Sequence, residues 1–518
     1  MSTAGDAPFG ALPVAAFGWA GAGAAPPRRA RRFASAEYVG SAGASPLVYG
    51  ARVLGGVEIG QSVADALGVG GRVALTVGEI ELDNSDGALD AVSRFDLAAG
   101  GLVALRAVPV VSRAASDFGT PLANADILFV GEAASLAALG PVARLAVTDR
   151  LERLNTRLQA VLYGGGGALD GPPEMAGRPK PMSFGFRFNV SPVNLGLVDF
   201  GDGPLPTYQT NWRGVAGHDE VRERGTPARK VERRPGVGEW RDWPQWGCFQ
   251  IGFTPDGQIA CDTRGDAPGG AGAYVSGTGG VLRRLLTAPG PALGEADLDA
   301  AAWEAFEAAL PGTIGWGTDG AEVTAMQAAE QVLGACGAWL AGNRGGAVAP
   351  AVVGAPAATP RFTLEDADLV AHAWEAPPAS LSPTPAAVEV GWRRNWSPGG
   401  DLRPSVGGQA RDDLSSPGRV ARSVSNAVAG RGGPFRTYAL PGLYAFEEDA
   451  RARADKLRGW IERGLRVREF TTDRFRNRIG LGMTGRYAGG RYGPAWSGVV
   501  VGWSERVPAC RVRIRMIG

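Results

Sequence analysis

The sequence contains few of the residues on which acid–base and metal chemistry depend. Histidine occurs twice in 518 residues, at His218 and His372, and neither lies in a spacing typical of zinc ligands. The sequence also lacks a Gly-x-Ser-x-Gly nucleophile motif and a Gly-x-x-x-x-Gly-Lys-Ser/Thr phosphate loop. We therefore expect no catalytic residues, no metal and no cofactor.

Cysteine is also scarce, and its spacing excludes the common cysteine-based scaffolds. The four cysteines, at positions 248, 261, 336 and 510, form no Cys-x-x-Cys pair and are too sparse for a disulfide framework. We predict a hairpin that turns at residues 255–257, in which Cys261 faces Ile251 rather than Cys248. The thiols are therefore predicted to be free and mostly buried, in a protein that folds in a reducing cytoplasm.

Lysine is nearly absent, whereas arginine is abundant. Lys180, Lys230 and Lys456 are the only lysines among 53 basic residues. We interpret this bias as a codon effect of a GC-rich genome rather than as an arginine code for a ligand. The formal net charge of +1 gives no global electrostatic reason to bind nucleic acid or an acidic membrane.

Long uninterrupted apolar runs are missing as well. Residues 1–27 carry no charge after Asp6, but Gly and Pro interrupt them, and the basic cluster at 28–32 follows rather than precedes them. A flexible or partner-docked arm fits this segment better than a signal peptide or membrane anchor. We interpret the basic cluster as a solvated linker rather than as a contact for an acidic partner.

Glycine and proline are present in excess. The 79 glycines and 37 prolines, against 8% aromatic residues, favour a loop-rich β architecture over a helical bundle. Alternation of apolar and polar residues predicts strands at 72–82, 184–188, 388–396, 465–470, 479–483, 499–503 and 511–516. Helical spacing predicts helices at 143–159, 300–310, 321–336 and 446–463, the third with a capping box at Asp319 and Glu322. The predicted fold class is α+β and β-rich, with a few packed helices.

Two polar segments need separate interpretation. Residues 84–87 are a strong turn signal, and acidic residues at 83, 86 and 90 suggest a calcium loop. Their spacing differs from that of an EF-hand loop, so a turn capped by side chains is the favoured interpretation. Residues 401–436 show no clear periodicity, which predicts an extended loop or a segment that orders on assembly.

The stretch 162–209 organises the chain. A glycine run at 164–167 is followed by Gly177-Arg178-Pro179-Lys180-Pro181 and by Phe184-Gly-Phe-Arg-Phe188. Successive glycines and prolines resist both helix and central strand, so we interpret this stretch as a joint between folded units. Within it, Arg178, Lys180 and Phe188 are candidate interface residues.

Tryptophan and arginine are concentrated between residues 211 and 262. Trp240, Trp243 and Trp246 lie among six arginines, and arginine stacks favourably on indole. The favoured interpretation is packing of a loop against the protein body or at a subunit interface. Stacking on sugar rings of a cell-surface glycan and binding of single-stranded nucleic acid are the alternatives.

Four blocks of sequence together resemble tail-tip or baseplate hub proteins of long-tailed, siphovirus-like bacteriophages. The blocks are the joint at 162–209, Glu79-Ile-Glu-Leu-Asp-Asn-Ser-Asp-Gly-Ala-Leu-Asp90, Gly247-Cys-Phe-Gln-Ile-Gly252 with 255–259, and Val388-Glu-Val-Gly-Trp-Arg-Arg-Asn-Trp396 with the closing segment 481–516. They span most of the chain in the expected order, and none is a catalytic motif. Residues 111–143 and the tryptophan–arginine segment are longer than the family pattern.

The resemblance implies a structural virion protein rather than an enzyme, built from several β-barrel- or sandwich-like hub domains. It implies a trimeric ring at the virion tail tip, synthesised in the bacterial host cytoplasm. The expected partners are further copies of the chain, the distal tail, tape-measure and fibre or receptor-binding proteins, phage DNA during ejection, and the bacterial surface. Asn395 and Trp396 complete the candidate interface residues.

We divide the chain into five consecutive regions. They are an N-terminal arm (1–45), a β-rich domain with a terminal helix (46–165), a central β domain with the tryptophan–arginine segment (166–300), an α+β domain (301–385) and a C-terminal strand–helix–strand domain (386–518).

Two other function classes stay open. A host-surface glycan-binding adhesin would use the tryptophan–arginine segment as its platform. A cell-wall or polysaccharide hydrolase would need a carboxylate pair, which leaves no sequence signature. Asp366 and Asp368 lie on one predicted strand face, although solvated loop acids explain them more simply. Cys336 and His372 could meet as nucleophile and base, as could many unrelated pairs.

Overall fold

The computed structural model describes most of the chain. The described residues are 11–18, 31–34, 38–42, 45–55, 57–63, 71–94, 102–109, 126–288, 290, 293–474, 478–507 and 511–518. Within these ranges no helix has the length and apolar character needed to cross a membrane.

Strands make up most of the regular structure. In chain order they are β1 (Ala11–Gly18), β2 (Arg31–Ala34), β3 (Tyr38–Ala42), β4 (Ser45–Ala51), β5 (Val53–Leu54), β6 (Val57–Val63), β7 (Gly71–Val77), β8 (Ile80–Asp83), β9 (Leu102–Pro109), β10 (Asp126–Leu139), β11 (Val142–Thr148), β12 (Met182–Val190), β13 (Val193–Asp199), β14 (Pro204–Gln209), β15 (Val215–Glu223), β16 (Thr226–Pro227), β17 (Arg229–Lys230), β18 (Glu239–Trp243), β19 (Cys248–Ile251), β20 (Ile259–Asp266), β21 (Gly315–Thr318), β22 (Ala338–Gly342), β23 (Val348–Val352), β24 (Phe362–Leu364), β25 (Leu369–Glu375), β26 (Ala387–Trp392), β27 (Arg419–Val424), β28 (Thr437–Tyr444), β29 (Val467–Thr472), β30 (Thr484–Tyr487), β31 (Trp496–Val507) and β32 (Arg511–Ile517).

The α-helices are fewer and mostly short. They are α1 (Asp90–Arg94), α2 (Thr278–Leu286), α3 (Ala300–Ala309), α4 (Ala325–Cys336), α5 (Gly408–Ser415), α6 (Asn426–Ala429) and α7 (Glu447–Ile461). The prediction of a β-rich α+β fold with a few packed helices is confirmed.

The strands form five sheets in the described residues. They are the N-terminal sheet β3-β4-β2-β1-β9-β10-β11-β8-β5, the first central sheet β16-β15-β20-β12-β21, the second central sheet β13-β14-β19-β18-β17, the large sheet β23-β22-β7-β6-β31-β32-β29-β25 with β30 and β24 branching from β31, and the small sheet β27-β26-β28. The large sheet therefore combines strands from both ends of the chain. The five consecutive sequence regions stay a prediction.

The two central sheets pack against each other as a sandwich. Val221 and Cys261 of the first sheet and Trp240 and Phe249 of the second belong to one buried cluster. Burial on both facing surfaces is what stabilises aligned sheets. Residues 252–258 carry the chain from β19 in one sheet to β20 in the other, so the predicted hairpin between them is wrong.

The closing strand β32 shows why its sequence alternates. Val512, Ile514 and Met516 are fully buried in the core that the large sheet shares with the N-terminal sheet. Arg511 and Arg513 point to the exposed side. The strand that was predicted at 511–516 from this alternation is therefore confirmed.

Helix α4 lies in the largest core, and both of its ends are capped. At its start the Thr324 hydroxyl accepts from the Gln327 amide at 3.1 Å, and the Gln327 side chain accepts from the Thr324 amide at 2.9 Å. This is a capping box, but it lies later than the predicted pair Asp319 and Glu322. At its end Arg453 of α7, only 6% exposed, donates to the carbonyls of Cys336 and Gly337. One arginine thus fixes α7 against the C-terminus of α4.

The predicted helix at 143–159 is wrong. Its first part is strand β11, and a short 3-10 helix at Arg150–Asn155 follows. Leu145 packs in the core of the N-terminal sheet, whereas Leu151, Leu154 and Leu158 pack in the largest core. The spacing of these leucines matches one face of a helix, but the leucines are buried in two separate cores.

Two further predictions are corrected. Residues 401–436 hold α5, β27 and α6 rather than an extended loop. Residues 479–483 precede β30 and form no strand. The predicted turn at 84–87 is capped by side chains. Asn84 Oδ1 accepts from the Leu89 backbone amide at 2.8 Å, and Asp86 Oδ1 accepts from the Ala88 backbone amide at 3.0 Å.

Candidate functional site

Asn395 lies at a junction between distant parts of the sequence. Its side chain accepts hydrogen bonds from Asn189 at 2.9 Å and from the Ser397 amide at 3.0 Å. It donates to the carbonyls of Asp413 at 3.1 Å and Leu414 at 2.9 Å. The side chain is 4% exposed and all its hydrogen-bonding capacity is used. It is a structural anchor inside the chain.

Asn189 supplies the other half of the junction. It adopts a φ of +53°, in the left-handed region where Asn is enriched among non-glycine residues. This conformation falls at the irregularity where the register of β12 against β20 shifts. The backbone amide of Asn189 donates to Asp262 at 2.9 Å, which attaches the irregular strand to β20.

Arg187 and Trp396 form the arginine–aromatic contact of the junction. The Arg187 guanidinium lies 4.4 Å from the centre of the Trp396 ring and donates to the Ser183 hydroxyl at 2.8 Å. Burial lowers the pKa of Arg187 to about 9. Its side chain crosses β21 at Gly317, where a Cβ atom would lie 2.5 Å from Nη1. A glycine is therefore required beneath the arginine. We did not select Arg187 from the sequence, because an arginine in an alternating strand resembles a solvated one.

Phe188 is a buried member of the same junction. Its ring, 4% exposed, has the guanidinium of Arg393 at 4.4 Å and that of Arg222 at 5.3 Å. Arg222 is itself held by Asp262. Trp396 is half-buried and also has Arg394 at 4.4 Å from its ring centre. The three predicted residues Phe188, Asn395 and Trp396 thus form one contiguous cluster, together with Arg187 and Asn189, which were not predicted.

The glycine run forms a cradle around a carboxylate. Asp170 accepts from the amides of Gly164 at 2.8 Å and Gly166 at 3.3 Å, and these bonds lower its pKa. Lys180 donates to the Leu169 carbonyl at 2.9 Å and is half-buried. Arg178 is exposed. The glycine run is thus a loop whose backbone amides bind the Asp170 carboxylate. Of the two predicted basic residues, Arg178 is the exposed one.

The three predicted tryptophans lie in different environments. Trp240 is 1% exposed and packs edge-on against Phe249 in the sandwich core. Trp243 is half-buried, and Trp246 is 37% exposed. Only the latter two reach the surface of the chain.

Trp243 and Trp246 belong to a surface cluster with Phe200. The Phe200 ring centre lies 4.5 Å from that of Trp246 and 5.0 Å from that of Trp243. The two indoles stack with an interplanar angle of 22°, and Arg241 covers Trp243 at 4.2 Å. Phe200 was missed because it lies forty residues earlier, at the end of β13. We call these three rings the aromatic platform.

His218 forms a buried relay that resembles a hydrolase triad. Its Nδ1 lies 2.7 Å from Asp242 Oδ1 and its Nε2 lies 2.8 Å from the Thr210 hydroxyl. Burial alone would raise the pKa of Asp242, but interactions with His218 and Lys230 lower it to about 2. His218 is 0% and Thr210 1% exposed. The Thr210 hydroxyl is buried, and the relay connects the two central sheets.

The other proposed catalytic groups are separated or already engaged. His372 accepts from Arg468 at 3.0 Å within the large sheet, and its pKa is lowered by burial and by Arg468. Cys336 is buried at the end of α4, where burial raises its pKa to about 11. Cys248 and Cys261 are also buried and free, as predicted, and Cys510 lies outside the described residues.

The candidate carboxylate pair is also accounted for. Asp366 and Asp368 lie in a short 3-10 helix and not on a strand face. Asp366 accepts from the Tyr487 hydroxyl at 2.5 Å and the Arg491 amide at 2.6 Å, and Asp368 pairs with Arg474 at 2.6 Å. Among the described residues no group of three His, Cys, Asp or Glu side chains is placed to hold a metal ion.

Comparison with known proteins gives structural matches only. No family model and no curated protein matches the sequence. The fold is similar to that of a tail protein from Neisseria meningitidis MC58, with a TM-score of 0.38 and 9% identity over 93% of this chain and 96% of that one. The 43 kDa tail protein of prophage MuSo2 from Shewanella oneidensis gives 0.37 and 9%, over 93% and 97%.

A third match covers less of the chain. The prophage tail protein gp18 from Listeria monocytogenes EGD-e has a TM-score of 0.24 and 8% identity, over 39% of this chain and 56% of that one. All three structures are tail proteins, which is the class that the sequence blocks resemble.

Proposed function

We propose that the chain is a structural component of a phage tail tip. As a baseplate hub it would close the tail tube, anchor receptor-binding and fibre proteins and gate DNA ejection. The proposal rests on the four sequence blocks that resemble hub proteins. The observation that carries it is the contact between three of these blocks in space.

The contacts run from the joint to two other blocks. Phe188 and Asn189 of the joint meet Asn395 and Trp396 of the 388–396 block, and the Trp396 amide donates to the Phe188 carbonyl at 3.2 Å. Tyr208, at the end of the joint, stacks on Phe249 of the 247–252 block at 5.6 Å. Motifs that resemble one family at separate sequence positions are therefore one structural unit in this chain.

The chemistry of this unit favours a mechanical role. Its polar groups bind one another, and its arginines stack on aromatic rings or pair with carboxylates inside the chain. The buried Asn395 side chain uses all of its hydrogen-bonding capacity, although Nε of the buried Arg187 has no hydrogen-bond partner. Buried hydrogen bonds of this kind favour one arrangement of the chain. A rigid connector between a tube and its fibres needs such an arrangement, whereas a catalyst needs accessible reactive groups.

The proposed partners follow from this role. They are further copies of the chain in a trimeric ring, the distal tail and tape-measure proteins on the tube side, and fibre or receptor-binding proteins on the host side. DNA would pass through the ring during ejection, and the protein would reside in the virion. The bacterial surface would be contacted directly or through the fibres.

The mass of the purified chain in solution tests the proposal. Light scattering combined with negative-stain imaging is expected to show a closed ring of three or more subunits with an axial hole. A compact monomer at concentrations well above those in an assembling cell would contradict the self-assembling hub.

The aromatic platform supports a second candidate, a host-surface glycan-binding adhesin. Three clustered rings with Trp246 partly exposed offer an apolar aromatic surface against which sugar rings can pack. Binding to a glycan array is expected to fall for Trp246→Ala and to persist for Trp374→Ala, which removes a tryptophan that is 50% exposed on a different sheet. Equal binding by both variants would remove this candidate.

A further inference from the structure

A cavity of about 530 Å³ opens where the small sheet and α7 meet the large sheet. Three connections line it: the one that leads into β26, the one between α6 and β28, and the one between α7 and β29. Its walls are largely apolar, with Pro377, Leu381, Pro434 and Leu465 among the lining residues.

The charged groups of this cavity are all of one sign. Arg431 and Arg466 line it, and no Asp or Glu does. No carboxylate of the described residues lies within salt-bridge distance of either arginine, and both are exposed. Neighbouring arginines differ in this respect, because Arg422 pairs with Glu389 and Arg515 pairs with Glu375. The cavity therefore presents two exposed arginines that have no carboxylate partner among the described residues.

Two exposed aromatic rings flank the cavity. Phe435 lines it and is 52% exposed, and Arg422 lies 5.1 Å from its ring centre. Trp374, which is 50% exposed, lies under Arg466 at 5.6 Å. Aromatic and arginine side chains with free area are the types enriched in protein–protein contacts.

We propose that this cavity binds a short acidic and apolar peptide segment of a partner protein. An apolar side chain of the segment fills the space between Leu381 and Phe435, and a neighbouring carboxylate pairs with Arg431 and Arg466. Arginine suits this pairing because its planar fork can bind both carboxylate oxygens.

The wall chemistry favours a peptide over a polyanion. Prolines at 377, 383 and 434 offer no amide donors to a phosphate group. Two arginines around an apolar cavity match one carboxylate beside one hydrophobic side chain, whereas nucleic acid requires an extended basic surface. The proposal does not depend on the tail-tip role, because it follows from this cavity alone.

Two variants of the full chain separate the apolar and ionic contributions. Ala429→Trp fills the cavity from the exposed last residue of α6 and removes no buried contact. The double variant Arg431→Gln with Arg466→Gln removes the charge and keeps the side-chain length. Arg463→Gln is the matched control, because Arg463 is an exposed arginine close in sequence that does not line the cavity. Unchanged circular dichroism and Tm establish that each variant folds.

The immobilised chain is panned against a random synthetic peptide library, and selected peptides are labelled for fluorescence anisotropy. We expect enrichment of Asp or Glu next to Leu or Phe. The Kd is expected to rise roughly tenfold or more for Ala429→Trp and for the double variant, and to stay unchanged for Arg463→Gln.

Three results would overturn the proposal. They are no enrichment, enrichment of basic or uncharged peptides, and affinity that is equal in the wild type and both cavity variants. Competition with an oligonucleotide gives a further check. Displacement of selected peptides by the oligonucleotide at lower concentration than by unlabelled peptide would identify a polyanion site instead.

Discussion

Asn189 and Asn395 lie 206 residues apart in the sequence and share a buried hydrogen bond of 2.9 Å. The same Asn189 amide group also donates to the Ser397 carbonyl at 2.9 Å. Neither side chain can be satisfied by water, so the position of each depends on the other. The junction of the joint with the 388–396 block is therefore sensitive to single substitutions.

Asn395→Ala is expected to lower the free energy of unfolding by about 3 kcal/mol, because it leaves buried donors and acceptors without partners. Urea denaturation followed by tryptophan fluorescence measures this change. Asn426→Ala, at an exposed position in α6, is the control and is expected to change stability by less than about 0.5 kcal/mol. A comparable loss in both variants would show that the hydrogen bonds of Asn395 are not responsible.

Gly317→Ala is expected to destabilise the chain by about 3 kcal/mol or to prevent folding. The added Cβ would lie 2.3 Å from the Met182 carbonyl oxygen and 2.5 Å from Arg187 Nη1. Gly354→Ala is the matched control, since its Cβ meets nothing within 4 Å. Thermal unfolding of both variants distinguishes steric conflict from a general effect of replacing glycine, and a soluble Gly317→Ala protein with wild-type Tm would contradict the packing of Arg187.

Asp242→Asn is expected to lower stability by about 2 to 4 kcal/mol, because it removes the charge that His218 and Lys230 share. Asp202→Asn breaks an ion pair of Arg241 in which Asp202 is 51% exposed, and is expected to cost less than about 1 kcal/mol. Chemical denaturation of the two variants under one buffer makes the comparison.

The same aspartate predicts acid sensitivity. Its pKa in the folded chain is about 2, below the value of about 3.9 in an unfolded chain. The stabilisation is present above pH of about 4 and is lost as pH falls toward 2. The wild type should therefore lose more stability over this interval than Asp242→Asn, and parallel curves would rule out the proposed role of the relay.

His372 predicts a separate dependence near neutral pH. Burial and Arg468 lower its pKa in the folded chain, so the unfolded chain binds the proton more strongly. The free energy of unfolding should fall as pH drops below about 6.5. His372→Gln keeps an acceptor for Arg468 and does not titrate. Its denaturation midpoint should depend less on pH between about 7.5 and 5 than that of the wild type, and an unchanged slope would contradict this assignment.

Local patterns in the sequence predicted the elements whose burial is one-sided. Helix α7 was recognised because Phe446, Ala450, Leu457 and Ile461 recur at the spacing of one helical face. The last three are buried, whereas Phe446 precedes the helix as its N-cap residue and is 45% exposed. Strand β32 was recognised from its strict alternation. The turn at 84–87 followed from the hydrogen-bonding chemistry of Asn and Asp. In each case the nearest neighbours along the chain determine the structure.

The failures came from contacts that sequence spacing does not encode. Leu145 and Leu151 are buried in different cores, so their helical spacing did not correspond to a helix. Cys248 and Cys261 flank a crossover between two sheets rather than a hairpin. At the candidate site, Asn395 was selected because it lies next to Trp396 and two arginines in the sequence. Its hydrogen bond with Asn189 and the stacking of Arg187 on Trp396 could not be predicted, because each contact joins chain segments about two hundred residues apart.

In the large sheet, β6 can pair with β31 only after almost the whole chain has been synthesised. Gln61 accepts a hydrogen bond from the Trp503 indole, 442 residues later in the chain. At a ribosomal rate of 5 to 20 residues per second, β6 waits roughly 20 to 90 s for this partner. During that interval the edge of β6 that later pairs with β31 is open in a crowded cell. The nascent protein therefore needs either a chaperone or a temporary pairing of its early strands, and premature termination leaves a product prone to aggregation.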